Sequence, residues 1–129
     1  NSWITVTFVL IYDVSNRNTP ILRNTFSVLG NYKDGRMLDN GFMYLVNHQY
    51  IDRSKLLPWY NIGGGPVICS WAWIYWFPLW IYKIPSFINV ISFNLNSPSS
   101  SFRLRCFIGE YSNILYMSSK YIYLAQTSY

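Results

Sequence analysis

An all-β fold is predicted by three observations. Ala and Glu, among the strongest helix formers, occur only as Ala72, Ala125 and Glu110 in 129 residues. Their places are taken by Ile, Val, Thr, Tyr, Phe and Trp, which favour a pleated, half-buried surface. Short apolar runs also alternate with turn clusters at a spacing of roughly ten residues, as in sandwiches and barrels.

The elements follow in order. Residues 2–12 read as a strand, with Trp3, Thr5, Thr7, Val9 and Ile11 on one face and Ile4, Val6, Phe8, Leu10 and Tyr12 on the other. Both faces carry large residues, so a central strand buried on both sides is expected. Turn chemistry from Asp13 to Pro20 ends it. Residues 21–29 read as a short helix or an irregular excursion closed by Gly30. Residues 31–41 read as a polar loop holding the turn dipeptides Asp34-Gly35 and Asn40-Gly41. Residues 42–57 hold one or two strands, and Gly63-Gly64-Gly65-Pro66 is a break. Residues 67–82 are the aromatic centre, with Trp71, Trp73, Trp76 and Trp80. Residues 87–95 alternate as a strand, and 96–101 form a polar loop. Phe102, Leu104, Cys106 and Ile108 then face one way while Arg103 and Arg105 face the other, a half-exposed strand. Residues 114–117 and 121–125 complete the set. No repeat or domain boundary is visible, and the expected architecture is one domain over residues 1–129: an all-β, jelly-roll-like antiparallel sandwich with elaborated loops.

Bulk properties constrain partners. Hydrophobic residues at 51% against 12% charged leave apolar surface to be covered by another subunit or by lipid. The net charge of +5 suits an anionic partner, nucleic acid or a phospholipid surface, although the ten Lys and Arg are scattered singly. Cys69 and Cys106 fit no zinc spacing; buried free thiols are the first reading and one internal disulfide the second. The chain opens Asn1-Ser2-Trp3 without an initiator Met, as expected of a processed product or of part of something longer. No Asn-x-Ser/Thr acceptor site is present, which leans against a glycosylated ectodomain.

Residues 56–82 carry no charge, a run longer than the 20 or so residues that cross a bilayer as a helix. Pro58, Pro66, Pro78 and three glycines interrupt it, and its aromatic residues fill the middle where a membrane belt would sit at the ends. A buried strand pair with a turn near Pro78 is the better reading.

Catalysis needs groups that titrate or attack, and the inventory is one His, five carboxylates and two thiols. His48 and Asp52, four apart, lie roughly 13 Å from each other on a strand. No nucleophile elbow, paired acidic motif or metal cluster appears, and the glycine run lacks the Lys-Ser/Thr that a phosphate loop needs. Neither an enzyme nor a cofactor or metal site is expected. Basic residues beside aromatic ones instead suit nucleic acid, whose bases stack on rings while Lys and Arg follow the phosphates. Arg103 and Arg105 beside Phe102 and Phe107, and Arg53 and Lys55 beside Tyr50 and Trp59, are the candidate nucleic-acid-binding residues. The bland alternative for each pair is the solvated face of an ordinary strand.

Three segments carry a resemblance. Val6-Thr7-Phe8-Val9-Leu10-Ile11-Tyr12-Asp13, with the loop to Pro20 and then Phe26, resembles a strand and loop of small single jelly-roll capsid proteins, those of circular single-stranded DNA viruses and satellite viruses. Asn47-His48-Gln49-Tyr50-Ile51-Asp52-Arg53 and Ile114-Leu115-Tyr116-Met117 are similar to later segments of such proteins. The resemblance implies a shell-forming subunit of a virion, binding copies of itself by its flanks and the genome by a basic face; the Arg-rich arm of such proteins would precede Asn1. The leading expectation is therefore a homo-oligomeric structural subunit that binds nucleic acid non-specifically. The alternatives are a small hydrophobic subunit of an organelle inner-membrane complex, with residues 56–95 meeting lipid, and an extracellular filament-forming β subunit.

Overall fold

The computed structural model describes residues 4–51, 57–69, 74–76, 85–110 and 114–125. In chain order these form β1 (Val6–Asp13), β2 (Ile21–Leu29), β3 (Asn31–Met37), β4 (Phe42–Tyr50), β5 (Trp59–Asn61), β6 (Val67–Ile68), β7 (Ile74–Trp76), β8 (Pro85–Asn94), α1 (Pro98–Ser101), β9 (Arg103–Glu110), β10 (Ile114–Met117) and β11 (Ile122–Ala125). The class is all-β. A four-stranded sheet runs β1-β2-β5-β6, a five-stranded sheet runs β3-β4-β8-β9-β7, and β10-β11 is a separate hairpin. All pairings are antiparallel except β7 with β9.

Alternation builds the core between the two sheets. Phe26 and Val28 of β2 face Leu45 of β4, Phe87, Ile91 and Phe93 of β8, and Leu104, Cys106 and Ile108 of β9. Phe26 is fully buried and stands edge-on to Phe93 at 5.4 Å and to Phe102 at 5.1 Å. A second cluster lies on the opposite face of the five-stranded sheet, where Met117, Leu115 and Ile122 of the hairpin cover Val46, Ile88, Tyr44 and Val90. The result is three layers: four-stranded sheet, five-stranded sheet, hairpin.

The chain passes from the first sheet to the second through one residue. Leu29 ends β2, Asn31 starts β3, and Gly30 between them has φ of 123°, a conformation that only glycine adopts without strain. A Cβ there would also lie 2.9 Å from the His48 carbonyl oxygen and 3.1 Å from Asn47 Cγ. Buried polar groups fasten this corner. The Gly30 amide donates to the Thr5 carbonyl, and Thr7 Oγ1 donates to the Gly30 carbonyl at 2.8 Å. Asn47 Nδ2 donates to the Leu29 carbonyl at 3.1 Å, and Asn89 Nδ2 reaches the same oxygen at 3.3 Å. One carbonyl of the first sheet is thus held by two strands of the second.

Three expectations are corrected. β1 is an edge strand, not a central one, and its outer face is open: Phe8 is 66% exposed, Leu10 51% and Tyr12 50%. Residues 21–29 are neither helix nor excursion but β2, held on both sides by β1 and β5. Residues 31–37 are strand β3, in which Asp34-Gly35 follows a bulge after Tyr32 and pairs across to β4 instead of turning. The turn there is at Asn40-Gly41, where Gly41 has φ of 83°. Within the aromatic centre, β6 joins the first sheet and β7 the second; the expected strand pair with its turn near Pro78 lies outside the described residues. The glycine run does form the break, between β5 and β6, and β9 alternates as expected.

Two substitutions test this framework by chemical denaturation. Phe26→Ala should cost about 3–5 kcal/mol through the cavity it opens among three rings. Gly30→Ala should cost about 1–3 kcal/mol from backbone strain alone, plus the displacement of the His48 carbonyl.

Candidate nucleic-acid interface

β9 presents its two faces cleanly. Leu104, Cys106 and Ile108 are buried while Arg103, Arg105 and Phe107 are exposed. Arg103 and Arg105 project from the same outer face, roughly 7 Å apart along the strand. Their cross-strand neighbours on β8 are the uncharged Ser92 and Val90, and Phe107 stands opposite Ile88. The guanidinium of Arg103 donates to the carbonyls of Phe102 at 2.8 Å and Ser100 at 3.3 Å, and that of Arg105 to the Leu104 carbonyl at 3.3 Å. A guanidinium has five N–H donors, so both keep donors turned to solvent. Neither is paired with a carboxylate among the described residues.

The hairpin adds a feature that the sequence reading passed over. Its inward residues Leu115, Met117 and Ile122 cover β4 and β8, so its outward residues point away from the sheet on the side to which Arg103 and Arg105 also project. They are Tyr116, Tyr121 and Tyr123, exposed by 62%, 63% and 53%. Tyr123 lies 5.9 Å from Tyr116 and 6.1 Å from Tyr121, centroid to centroid. Arg36 of β3 anchors the hairpin by donating to the Met117 carbonyl, and Lys120 lies exposed in the hairpin turn. Tyr123, in contact with both other rings, makes with them a stacking surface, and the arginines of β9, on the same side of the five-stranded sheet, supply phosphate-binding groups. The available signal was the alternation Tyr121-Ile122-Tyr123 opposite Leu115-Tyr116-Met117, which puts the tyrosines on one face. The other candidates, Arg53 and Lys55, lie outside the described residues; of their aromatic neighbours, Tyr50 is exposed and Trp59 half-buried.

The hairpin rests on an ionisable group. His48 of β4 is 7% exposed, in the layer where Val46, Ile88, Leu115, Leu124 and Lys33 come together. Burial, and then the positive charge of Lys33, lower its pKa from the usual 6.5. Elsewhere, Asp13 is held down to about 2 by hydrogen bonds from the Ser15 hydroxyl and amide and then by Arg23, a local arrangement at the end of β1 away from the basic strip. Among the described residues no cluster of His, Cys, Asp or Glu suits a metal ion.

The His48 shift has a defined sign. The unfolded chain takes up a proton near pH 6.5, whereas the folded chain resists it until lower pH. The stability that neutral His48 gives is therefore whole above pH 6.5 and is lost as pH falls from there through the folded pKa. The thermal midpoint should fall between neutral pH and about pH 5, and His48→Gln should flatten that part of the profile.

Comparison with known proteins adds one finding. No curated protein and no solved structure matches the chain. The family model that matches describes a beta propeller domain and spans residues 1–129. Propellers stack four-stranded antiparallel sheets around an axis, typically four to eight of them. The described residues hold one sheet of that size, a second of five strands and a hairpin. No coat-protein family is matched; by the full length of the match, the chain belongs to the beta propeller domain family.

Proposed function

We propose that this chain is a structural subunit that assembles with copies of itself and holds nucleic acid non-specifically, the work of a coat protein in a virion. The observation that carries the proposal is the contrast between the two outer faces of the layered fold. On the four-stranded sheet, Phe8, Leu10 and Tyr12 of β1 form an exposed apolar row, with Leu22 of β2 opposite Tyr12. Ser27 and Thr25, opposite Phe8 and Leu10, add no charge. On the far side of the molecule stand Arg103, Arg105 and the three tyrosines.

An apolar row of this kind is costly in water and is stabilised when another sheet covers it. The family supports that reading, because a propeller consists of sheets that each cover the next. The free edge of β1 adds main-chain donors and acceptors that a neighbouring strand can pair. Between the edges of β1 and β3 lies an open groove of about 630 Å³, lined by Phe8, Leu10, Tyr32, Met43 and Leu45 among others. The opposite face needs no base-specific pocket: ring stacking and phosphate neutralisation are both tolerant of sequence.

Among the described residues no helix is long and apolar enough to cross a membrane, and most of the uncharged run at 56–82 lies outside them. Electron microscopy of detergent-free material, with its absorbance ratio at 260 and 280 nm, separates the readings. Closed particles rich in nucleic acid support the coat role. Particles free of nucleic acid, open fibres, or material soluble only in detergent each overturn it, the last in favour of a membrane-complex subunit.

Two sets of variants address the two faces. Phe8→Lys with Leu10→Lys should leave the domain folded, since both side chains point outward, and should reduce assemblies to monomers in sedimentation velocity. Arg103→Ala with Arg105→Ala should weaken binding of a single-stranded oligonucleotide and lower the slope of log K against log salt by about 1.4, two phosphate contacts' worth. An unchanged slope removes β9 from the interface.

A further inference from the structure

The open side of the sandwich, between β1 and β3, has a counterpart at the other side. There Cys69, directly after β6 of the first sheet, meets Cys106 of β9 in the second. Their sulfur atoms are 2.7 Å apart, and the two residues are 2% and 0% exposed. Both sit in the central hydrophobic cluster with Phe26, Phe87 and Ile108. The Cys69 amide donates to the Pro58 carbonyl at 2.7 Å, which fixes its backbone against the segment leading into β5. Burial and then the neighbouring thiol hold the Cys106 proton on more tightly than usual, so in the closed fold Cys106 stays a thiol.

We propose that Cys69 and Cys106 are a cross-link site: they form a reversible disulfide that clamps the β6 end of the first sheet to β9 of the second. The sulfurs already touch, so closing the bond asks little of either backbone. The reaction is an exchange with a small-molecule disulfide of the glutathione type. One cysteine thiolate attacks that disulfide and releases a thiol, leaving a mixed disulfide on the protein. The second thiolate then attacks the protein-side sulfur and releases a second thiol. Two protein thiols are oxidised, one external disulfide is reduced to two thiols, and the two protons pass to those products.

The reagent has a route. β6 is a two-residue edge strand, held to β5 by the Trp59–Ile68 and Tyr60–Val67 pairs. Its residues are 41% and 62% exposed. A short exposed edge is the kind of element that opens locally without global unfolding, and opening it uncovers Cys69 first. The closed state would then be locked, because the bond ties residues 37 apart in sequence and removes that loop's freedom from the unfolded chain.

The experiment uses the unmodified chain, equilibrated under folding conditions with oxidised and reduced glutathione and then alkylated in denaturant for mass analysis. The expected product with oxidised glutathione is an unalkylated monomer lighter by two hydrogens, with a peptide linking Cys69 to Cys106. Its thermal midpoint should rise by roughly 10 °C over the reduced form, and a thiol reductant should return it. Cys69→Ser should abolish both the linked peptide and the reductant-dependent shift. Two alkylated thiols after equilibration, a stable glutathione adduct, or disulfide-linked dimers would each overturn the proposal, and none of these depends on the variant folding.

Discussion

The sheet switch at Gly30 is the constraint on which the rest of the fold depends. β2 and β3 are consecutive strands with a single residue between them, yet they belong to different sheets. The chain turns there by using a backbone conformation closed to other residues, against a wall formed by the Asn47 side chain and the His48 carbonyl. Buried amides at Asn47 and Asn89 then bond the Leu29 carbonyl at the corner. A buried carbonyl without partners would cost about 1–3 kcal/mol; here two donors from the opposing sheet satisfy it and set how the sheets lie on each other. Once that relation is set, Phe26 meets Phe93 and Phe102, and the two inner faces close over a common core.

The corner also explains why the outer faces differ. Among the described residues the first sheet is covered on its inner face only, so the alternation of β1 leaves Phe8, Leu10 and Tyr12 outside. The second sheet is covered on both, by the first sheet and by the hairpin, which lies over β4 and β8 and is tied to β3 through Arg36. β9 remains uncovered on its outer side and carries arginines there. The hairpin in turn buries Met117 and shows its tyrosines. One face of the molecule is therefore apolar and short of charge, the other aromatic and basic, as a direct result of which strand is covered by what.

How much of this was legible depended on whether one face of a segment was polar. In β9, Arg103 and Arg105 against Leu104, Cys106 and Ile108 left a single reading of which side is buried, and it holds. In β1 both faces are apolar, so the pattern showed strand but not which face was open; burial on both sides was the reasonable inference, and edge position is a property of the sheet, not of the segment. β2 was obscured because Arg23, Asn24, Thr25 and Ser27 dilute its apolar residues, although Phe26 and Val28 are the most buried pair of the strand. β3 was obscured by Asp34-Gly35, a turn dipeptide placed by tertiary pairing beside a bulge opposite Val46 and Leu45. The tyrosine face was missed because its three residues come from two strands and become neighbours only when the hairpin closes.

The same logic bears on the scattered cations. Ten Lys and Arg spread singly along the sequence do not make a basic run, and on composition alone they predict only weak attraction to anions. Sheet formation changes their geometry. Alternate positions on one strand share a face, so Arg103 and Arg105 become a pair, and their uncharged neighbours on β8 leave that pair without an acidic partner among the described residues. Arg23, by contrast, is placed within 3.2 Å of Asp13 and is neutralised at the sheet edge. What matters for a polyanion is therefore not the net charge but which cations the strand register leaves without an acidic partner. β9 is where the described residues offer that, on the same side of the sheet as rings on which bases can stack.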